Sequence, residues 1–130
     1  MTDAAFTPVV YLKDKCPFCM KVRILLLEAG LMDKVKVRDF VQGDDEEQKI
    51  KAELAPHLEK VTFPAAEIAP GKYVADSDAI VSHFAAEAKV DPDKLTVLGN
   101  YVRGPFQSMM QLYRENMELK KKVAEAETPA

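Results

Sequence analysis

A chain of 130 residues with a net charge of −3, 48% apolar and 30% charged, is sized for one domain with a modest appendage and holds enough apolar residues for a core. The slightly acidic balance, with no basic or basic-aromatic face, speaks against nucleic acid as a partner. No apolar run reaches membrane-spanning length, and Met1 to Phe6 lack the basic and apolar regions of a secretion signal. The expectation is a cytoplasmic protein with no membrane partner, in a compartment that keeps thiols reduced.

Val9-Val10-Tyr11-Leu12 is an apolar, β-rich run that predicts a buried strand over 8–12, ended by Lys13-Asp14-Lys15. Cys16-Pro17-Phe18-Cys19 follows, and it contains the only two cysteines of the chain. A helix over 17–29 comes next, closed by Gly30. A dithiol on the turn from a strand into a helix is a redox arrangement, because the unpaired N–H groups and the dipole at a helix start stabilise a thiolate. Pro17 fits the first helical position, where its missing N–H costs nothing. Cys16 then falls at the exposed cap and Cys19 one turn inside. The expected roles are attack on a disulfide by Cys16 and attack on the resulting mixed disulfide by Cys19. Lys13, Lys15 and Lys21 add positive charge around the cap.

Val35 to Val41 alternates apolar and polar residues, which predicts a half-buried strand. Gly43-Asp44-Asp45 supplies a turn and a cap for a polar helix over 46–54 that stops before Pro56. Pro64 to Ile68 and Lys72 to Ala75 are short strands joined by Ala69-Pro70-Gly71, and they should pair as a hairpin. Asp76-Ser77-Asp78 offers caps for a helix whose apolar stripe is Ala79, Ile80, Phe84 and Ala88, widened by Val81 and Ala85. The order β-α-β-α-β-β-α predicts an α/β fold of the thioredoxin-like plan, with a mixed four-stranded sheet and helices on both faces.

Asp91-Pro92-Asp93 predicts a further helix start, followed by Leu95, Leu98, Tyr101 and Val102 at helical spacing. Gly104-Pro105 interrupts, and Phe106, Met109, Met110, Tyr113 and Met117 form a second apolar face. The expected organisation is a thioredoxin-like domain over 1–90, a C-terminal helical hairpin over 91–126 and a disordered tail over 127–130. The Met-rich face reads as packing or interface. If it extends beyond the core, it calls for a homodimer.

Three segments together resemble a glutaredoxin of the type that shares its fold with the N-terminal domain of glutathione S-transferases. They are Tyr11 to Cys19 with Cys-Pro-Phe-Cys, Thr62-Phe63-Pro64, and Asp76-Ser77-Asp78-Ala79-Ile80. The resemblance covers residues 8–90. It implies a cis peptide bond at Phe63-Pro64 facing the dithiol and a glutathione-dependent thiol–disulfide oxidoreductase. Its substrates would be glutathione mixed disulfides and disulfide-bonded proteins.

The implied substrate-binding residues are Lys13, Phe18, Phe63, Pro64, Asp76, Ser77 and Asp78, with Cys16 and Cys19 catalytic, glutathione as co-substrate and no metal. In that reading Lys13 holds the glycine carboxylate and the Phe63 backbone pairs with the cysteinyl segment. Ser77 with an aspartate beside it takes the γ-glutamyl end, at a helix start that favours anions. The same three residues also serve as plain helix caps. Two positions depart from the family: Tyr73-Val74-Ala75 replaces a Gly-Gly pair, and Ala65-Ala66 replaces a bulky apolar pair.

A second reading is a glutathione-binding interaction or regulatory module without significant turnover. Iron–sulfur binding by Cys16 across a dimer, with glutathione as co-ligand, is disfavoured by the resemblance, since in glutaredoxins a proline after the nucleophile goes with redox activity. A zinc site with His57 and His83 is disfavoured by their spacing from the cysteines.

Overall fold

A computed structural model describes residues 6–127. It divides into two compact units, Met1–Gly99 and Asn100–Ala130.

In the first unit, β1 (Val9–Lys13), α1 (Pro17–Glu28), β2 (Lys36–Phe40), α2 (Asp45–Leu54), β3 (Ala65–Ala69), β4 (Lys72–Val74) and α3 (Ser77–Ala88) follow in the expected order. The four-stranded sheet runs β2-β1-β3-β4, with β1 and β2 parallel and both β1–β3 and β3–β4 antiparallel. This is a thioredoxin-like βαβ-α-ββα fold with a mixed sheet.

Strand alternation divides the core. Tyr11 faces a cluster with Phe40, Ile50, Leu54 and Ala65, which covers the sheet with α2. Val10 and Leu12, both fully buried, turn to the other face, where α1 and α3 pack together. The register also places the two alanines. Ala65 lies opposite Tyr11, where a small side chain leaves room for the tyrosine ring and for Phe63 against Phe40, and Ala66 lies opposite Val10 on the other face, both fully buried.

The helix ends follow from local chemistry. At the start of α2 the Asp44 carboxylate accepts from Glu47 N–H at 2.8 Å, and the Glu47 carboxylate accepts from Gly43 N–H at 2.7 Å, a reciprocal cap. After α1, Gly30 adopts φ 73°, and Leu31 N–H reaches back to Leu26 C=O at 2.8 Å.

Four expectations need correction. Ala79 is exposed; the buried stripe of α3 is Ser77, Ile80, Val81, Phe84 and Ala85, a phase set by where the sheet lies. Asp91-Pro92-Asp93 opens only a 3-10 turn, Pro92–Lys94, capped by the Asp91 carboxylate. The next helix, α4 (Thr96–Tyr101), is instead capped from α1: the Glu28 carboxylate accepts from Val97 and Leu98 N–H, both at 2.9 Å. Finally, Gly104-Pro105 does not end the helix. Val102–Phe106 is π-helical and leads into α5 (Gln107–Glu127), so the extension is one continuous helical run rather than a hairpin. A π turn alters the hydrogen-bond phase where Pro105 has no N–H to give.

Glu127 belongs to α5, and the remainder of the expected tail, 128–130, lies outside the described residues, as does most of the segment 1–6. Among the described residues no helix is long and apolar enough to cross a membrane.

Candidate functional site

Cys16 is the N-cap of α1, with extended backbone (φ −106°, ψ 119°) and Pro17 at the first helical position. Its sulfur accepts from the Cys19 N–H at 3.3 Å. Lys15, just before it, holds a left-handed backbone at φ 59°, uncommon for a side chain of that size. Cys19 is fully buried one turn inside, and its sulfur accepts from the Lys13 N–H at 3.3 Å. Both cysteines are free thiols.

The two sulfurs are driven apart in acidity. Cys16 is lowered to about 6, first by the hydrogen bond from the Cys19 thiol, then by the N–H groups of Cys19 and Phe18 and the charge of Lys13; together these outweigh its partial desolvation. Cys19, donating that proton and buried, is pushed well above the ordinary thiol range. At neutral pH the pair is one thiolate at the surface held by one thiol beneath it.

A groove of about 660 Å³ opens beside Cys16, lined by Lys13, Asp14, Lys15, Pro17 and the Val41-Gln42-Gly43 loop. That loop follows β2, whose parallel pairing brings Phe40 level with Lys13. The sequence reading did not place Val41 to Gly43 at the site. Their only signal was their position after a strand expected to lie beside the first.

The Phe63-Pro64 bond is cis and Pro64 is fully buried. Because β1 and β3 pair Tyr11 with Ala65, Pro64 follows the ladder to the end of β1 from which the dithiol loop departs. The half-buried Phe63 ring packs against the α2 cluster, at 4.7 Å and edge-on to Phe40. Thr62 Oγ1 donates to Ala75 C=O at 3.3 Å, tying this loop to the residue before the α3 cap.

At that cap the Asp76 carboxylate accepts from Asp78 N–H at 3.0 Å, so Asp76 does serve as a helix cap. Lys21, expected near the Cys16 cap, is buried and reaches the other way: its Nζ donates to Ser77 Oγ at 3.2 Å and to Asp78 Oδ1 at 2.9 Å. The same ammonium lies 5.7 Å from the centre of the Phe18 ring. Lys21 thus links the dithiol helix to the acidic turn. The sequence held a signal for it, since position 21 falls on the stripe with the buried Val22, Leu25 and Leu26, where a lysine needs a partner.

His57 stacks on Tyr73 at 4.2 Å and His83 meets Phe84 edge-on at 4.9 Å. Among the described residues no group of three or more His, Cys, Asp or Glu assembles to hold a metal.

A βαβ unit that ends its first strand in a helix-capping dithiol, followed by a cis-proline hairpin and a covering helix, defines a thioredoxin-like domain. Residues 10–92, well over half of the chain, match the glutathione S-transferase, N-terminal domain family, and the chain belongs to it. Solved structures of similar fold include a glutathione S-transferase from the Antarctic clam Laternula elliptica (TM-score 0.52, 18% identity, 94% of this chain and 53% of that one). Another is a possible glutathione S-transferase from Rhodopseudomonas palustris (TM-score 0.50, 18% identity, 93% and 57%). A third is glutathione transferase Omega 2C from Trametes versicolor (TM-score 0.47, 23% identity, 64% and 38%). For the clam and Rhodopseudomonas proteins the likeness is one of fold, and the chain spans between 38% and 57% of the lengths of these three. No curated protein matches it.

Proposed function

We propose that the chain is a glutaredoxin-like, glutathione-dependent thiol–disulfide oxidoreductase. The observation that carries this reading is the division of labour in the dithiol: a surface sulfur ionised near pH 6 and a buried one kept protonated beneath it.

The Cys16 thiolate attacks the glutathione sulfur of a mixed disulfide. A Cys16–glutathione disulfide forms and the protein thiolate leaves, taking a proton from water. The thiolate of a second glutathione then attacks the glutathione sulfur on Cys16. Oxidised glutathione is released and the Cys16 thiolate returns. For a protein disulfide, Cys16 attacks one sulfur and Cys19, after losing its proton, attacks Cys16. The substrate leaves as a dithiol and a Cys16–Cys19 disulfide remains, which two glutathiones reduce. The low pKa of Cys16 also makes it a good leaving group in the second half of each route.

In this reading Lys13, which lines the groove, takes the glycine carboxylate, and the Phe63 backbone pairs with the cysteinyl segment. Since Lys21 donates to Ser77 Oγ, the hydroxyl proton of Ser77 can be given to the γ-glutamyl carboxylate. Asp78, largely exposed although paired with Lys21, faces an incoming ammonium, and Asp76 adds negative charge. Phe18, which is exposed, contributes apolar surface, whereas Pro64 is fully buried and supports the adjoining Phe63 backbone. Such chemistry belongs in a compartment rich in reduced glutathione, which fits the cytoplasm.

The test is release of glutathione from a glutathionylated peptide, coupled to glutathione reductase. Cys16→Ser abolishes turnover, while Cys19→Ser keeps the mixed-disulfide route and loses protein disulfide reduction. Full activity of Cys16→Ser would overturn the mechanism.

A second reading, a glutathione-binding or regulatory module without significant turnover, is favoured by the helical extension beyond α3, which the dithiol chemistry does not use. Calorimetric binding of glutathione to a wild-type chain that shows no turnover would select it.

A further inference from the structure

In α5 not one side chain is buried within the chain, and Leu112, Leu119 and Val123 are 64%, 60% and 55% exposed. These residues do not lie on the Phe106, Met110, Tyr113, Met117 face. They belong to a longer series: Met109, Leu112, Asn116, Leu119, Val123 and Ala126 recur at spacings of three, four, three, four and three. That is an uninterrupted heptad pattern with Met109, Asn116 and Val123 at a and Leu112, Leu119 and Ala126 at d.

We infer that α5 pairs with the α5 of a second copy of this chain as a parallel two-stranded coiled coil over residues 109–127. Three features of the helix select this occupant. Leu at d with a β-branched residue at a favours two strands. Asn116 is the single polar residue in the seam. In a parallel pair it meets its own copy and the two amides hydrogen-bond, whereas an antiparallel pair sets it against Leu119 and leaves it unsatisfied. The flanking charges are complementary as well. Glu115 at g meets Lys120 at e of the partner's helix, and Lys122 at g meets Glu127 at e, so symmetry yields four attractive contacts and no like-charge ones. A partner of unrelated sequence would have no reason to match a pattern that already matches itself.

Three heptads with one polar layer make a short coil, so dimerisation on the order of 10–100 µM is expected. The experiment is sedimentation equilibrium of the full chain in reducing buffer, which prevents disulfide dimers. The wild type should follow a monomer–dimer equilibrium, and Leu119→Asp should be monomeric with unchanged Cys16 alkylation. Glu115→Lys should weaken association about tenfold by setting a like charge against the partner's Lys120, and adding Lys120→Glu should restore it. In an antiparallel pair, position 115 would face Lys122 of the partner subunit, and the double variant would stay as weak as the single. Failure of that rescue overturns the proposal. So does a wild type that is monomeric up to about 1 mM, or one that forms a trimer, or a Leu119→Asp variant that dimerises like the wild type. A monomeric wild type would leave the face to a partner of another sequence.

Discussion

Replacing Cys19 by alanine removes the largest single contribution to the low pKa of Cys16, the hydrogen bond from the Cys19 thiol. A hydrogen bond to a charged group contributes about 1.5–3 kcal/mol, and a thiol is a weak donor, so the lower end applies. At about 1.4 kcal/mol per pKa unit, the inflection should move from about 6 to roughly 7. The backbone N–H groups and Lys13 remain, so it should not reach the ordinary thiol value. At pH 6 the thiolate fraction would fall from about one half to about one tenth, while the intrinsic nucleophilicity of each thiolate would rise about threefold.

Alkylation rates would therefore change only about twofold, and ultraviolet thiolate absorbance is the better assay. Because Cys19 is held protonated, the wild-type titration between about pH 4 and about pH 8 reports Cys16 alone. Cys19→Ser keeps an O–H donor and should stay near 6. An inflection in Cys19→Ala that remains at about 6 would refute the assigned cause, and a wild-type inflection near 8.5 would refute the thiolate itself.

Asp78→Ala should destabilise the reduced protein by about 1–2 kcal/mol in urea unfolding, because it leaves the buried Lys21 ammonium with a neutral partner; an unchanged midpoint and slope would show that Lys21 finds water instead. Lys15→Gly should stabilise by about 0.5–1 kcal/mol, the relief of a left-handed backbone less the greater freedom of the unfolded glycine, and a lowered melting temperature would contradict the strain at that residue. Cys16 is more acidic folded than unfolded, so its contribution is fully present above the unfolded pKa and is lost as pH falls through about 6. The stability advantage of reduced wild type over Cys16→Ala should therefore shrink between about pH 9 and about pH 6, and urea melts showing a constant difference would count against it.

What could be read from the sequence was what local chemistry decides. Cys16-Pro17 announces a helix start because cap and first-turn preferences act over a few residues, and Asp44, Asp76 and Gly30 speak in the same way. The succession of strands and helices along the chain followed from alternation and turn residues. What escaped were partnerships across long stretches of chain. Lys21 finds Ser77 and Asp78 more than fifty residues away, and Glu28 caps a helix that begins nearly seventy residues later. Neither partner changes the periodicity around the other. Ala79 was misplaced because a small residue contributes almost nothing to an apolar pattern, whereas Ser77, polar by type, is buried by the lysine that holds it. Gly104-Pro105 carried the composition of a break, and a widened helical turn absorbed it.

The loop that borders the groove beside Cys16 is fastened by carboxylates. Val41 N–H donates to Asp44 at 3.0 Å and Gly43 N–H to Glu47 at 2.7 Å, and these bonds hold both acids below the usual carboxylate range. Acidification therefore reaches the two parts of the site in sequence. The thiolate is quenched near pH 6, while the loop stays fastened until the solution is far more acidic. Proton concentration can silence the sulfur without dismantling the place where its substrate would lie, and neutralisation returns the thiolate to a groove already in shape.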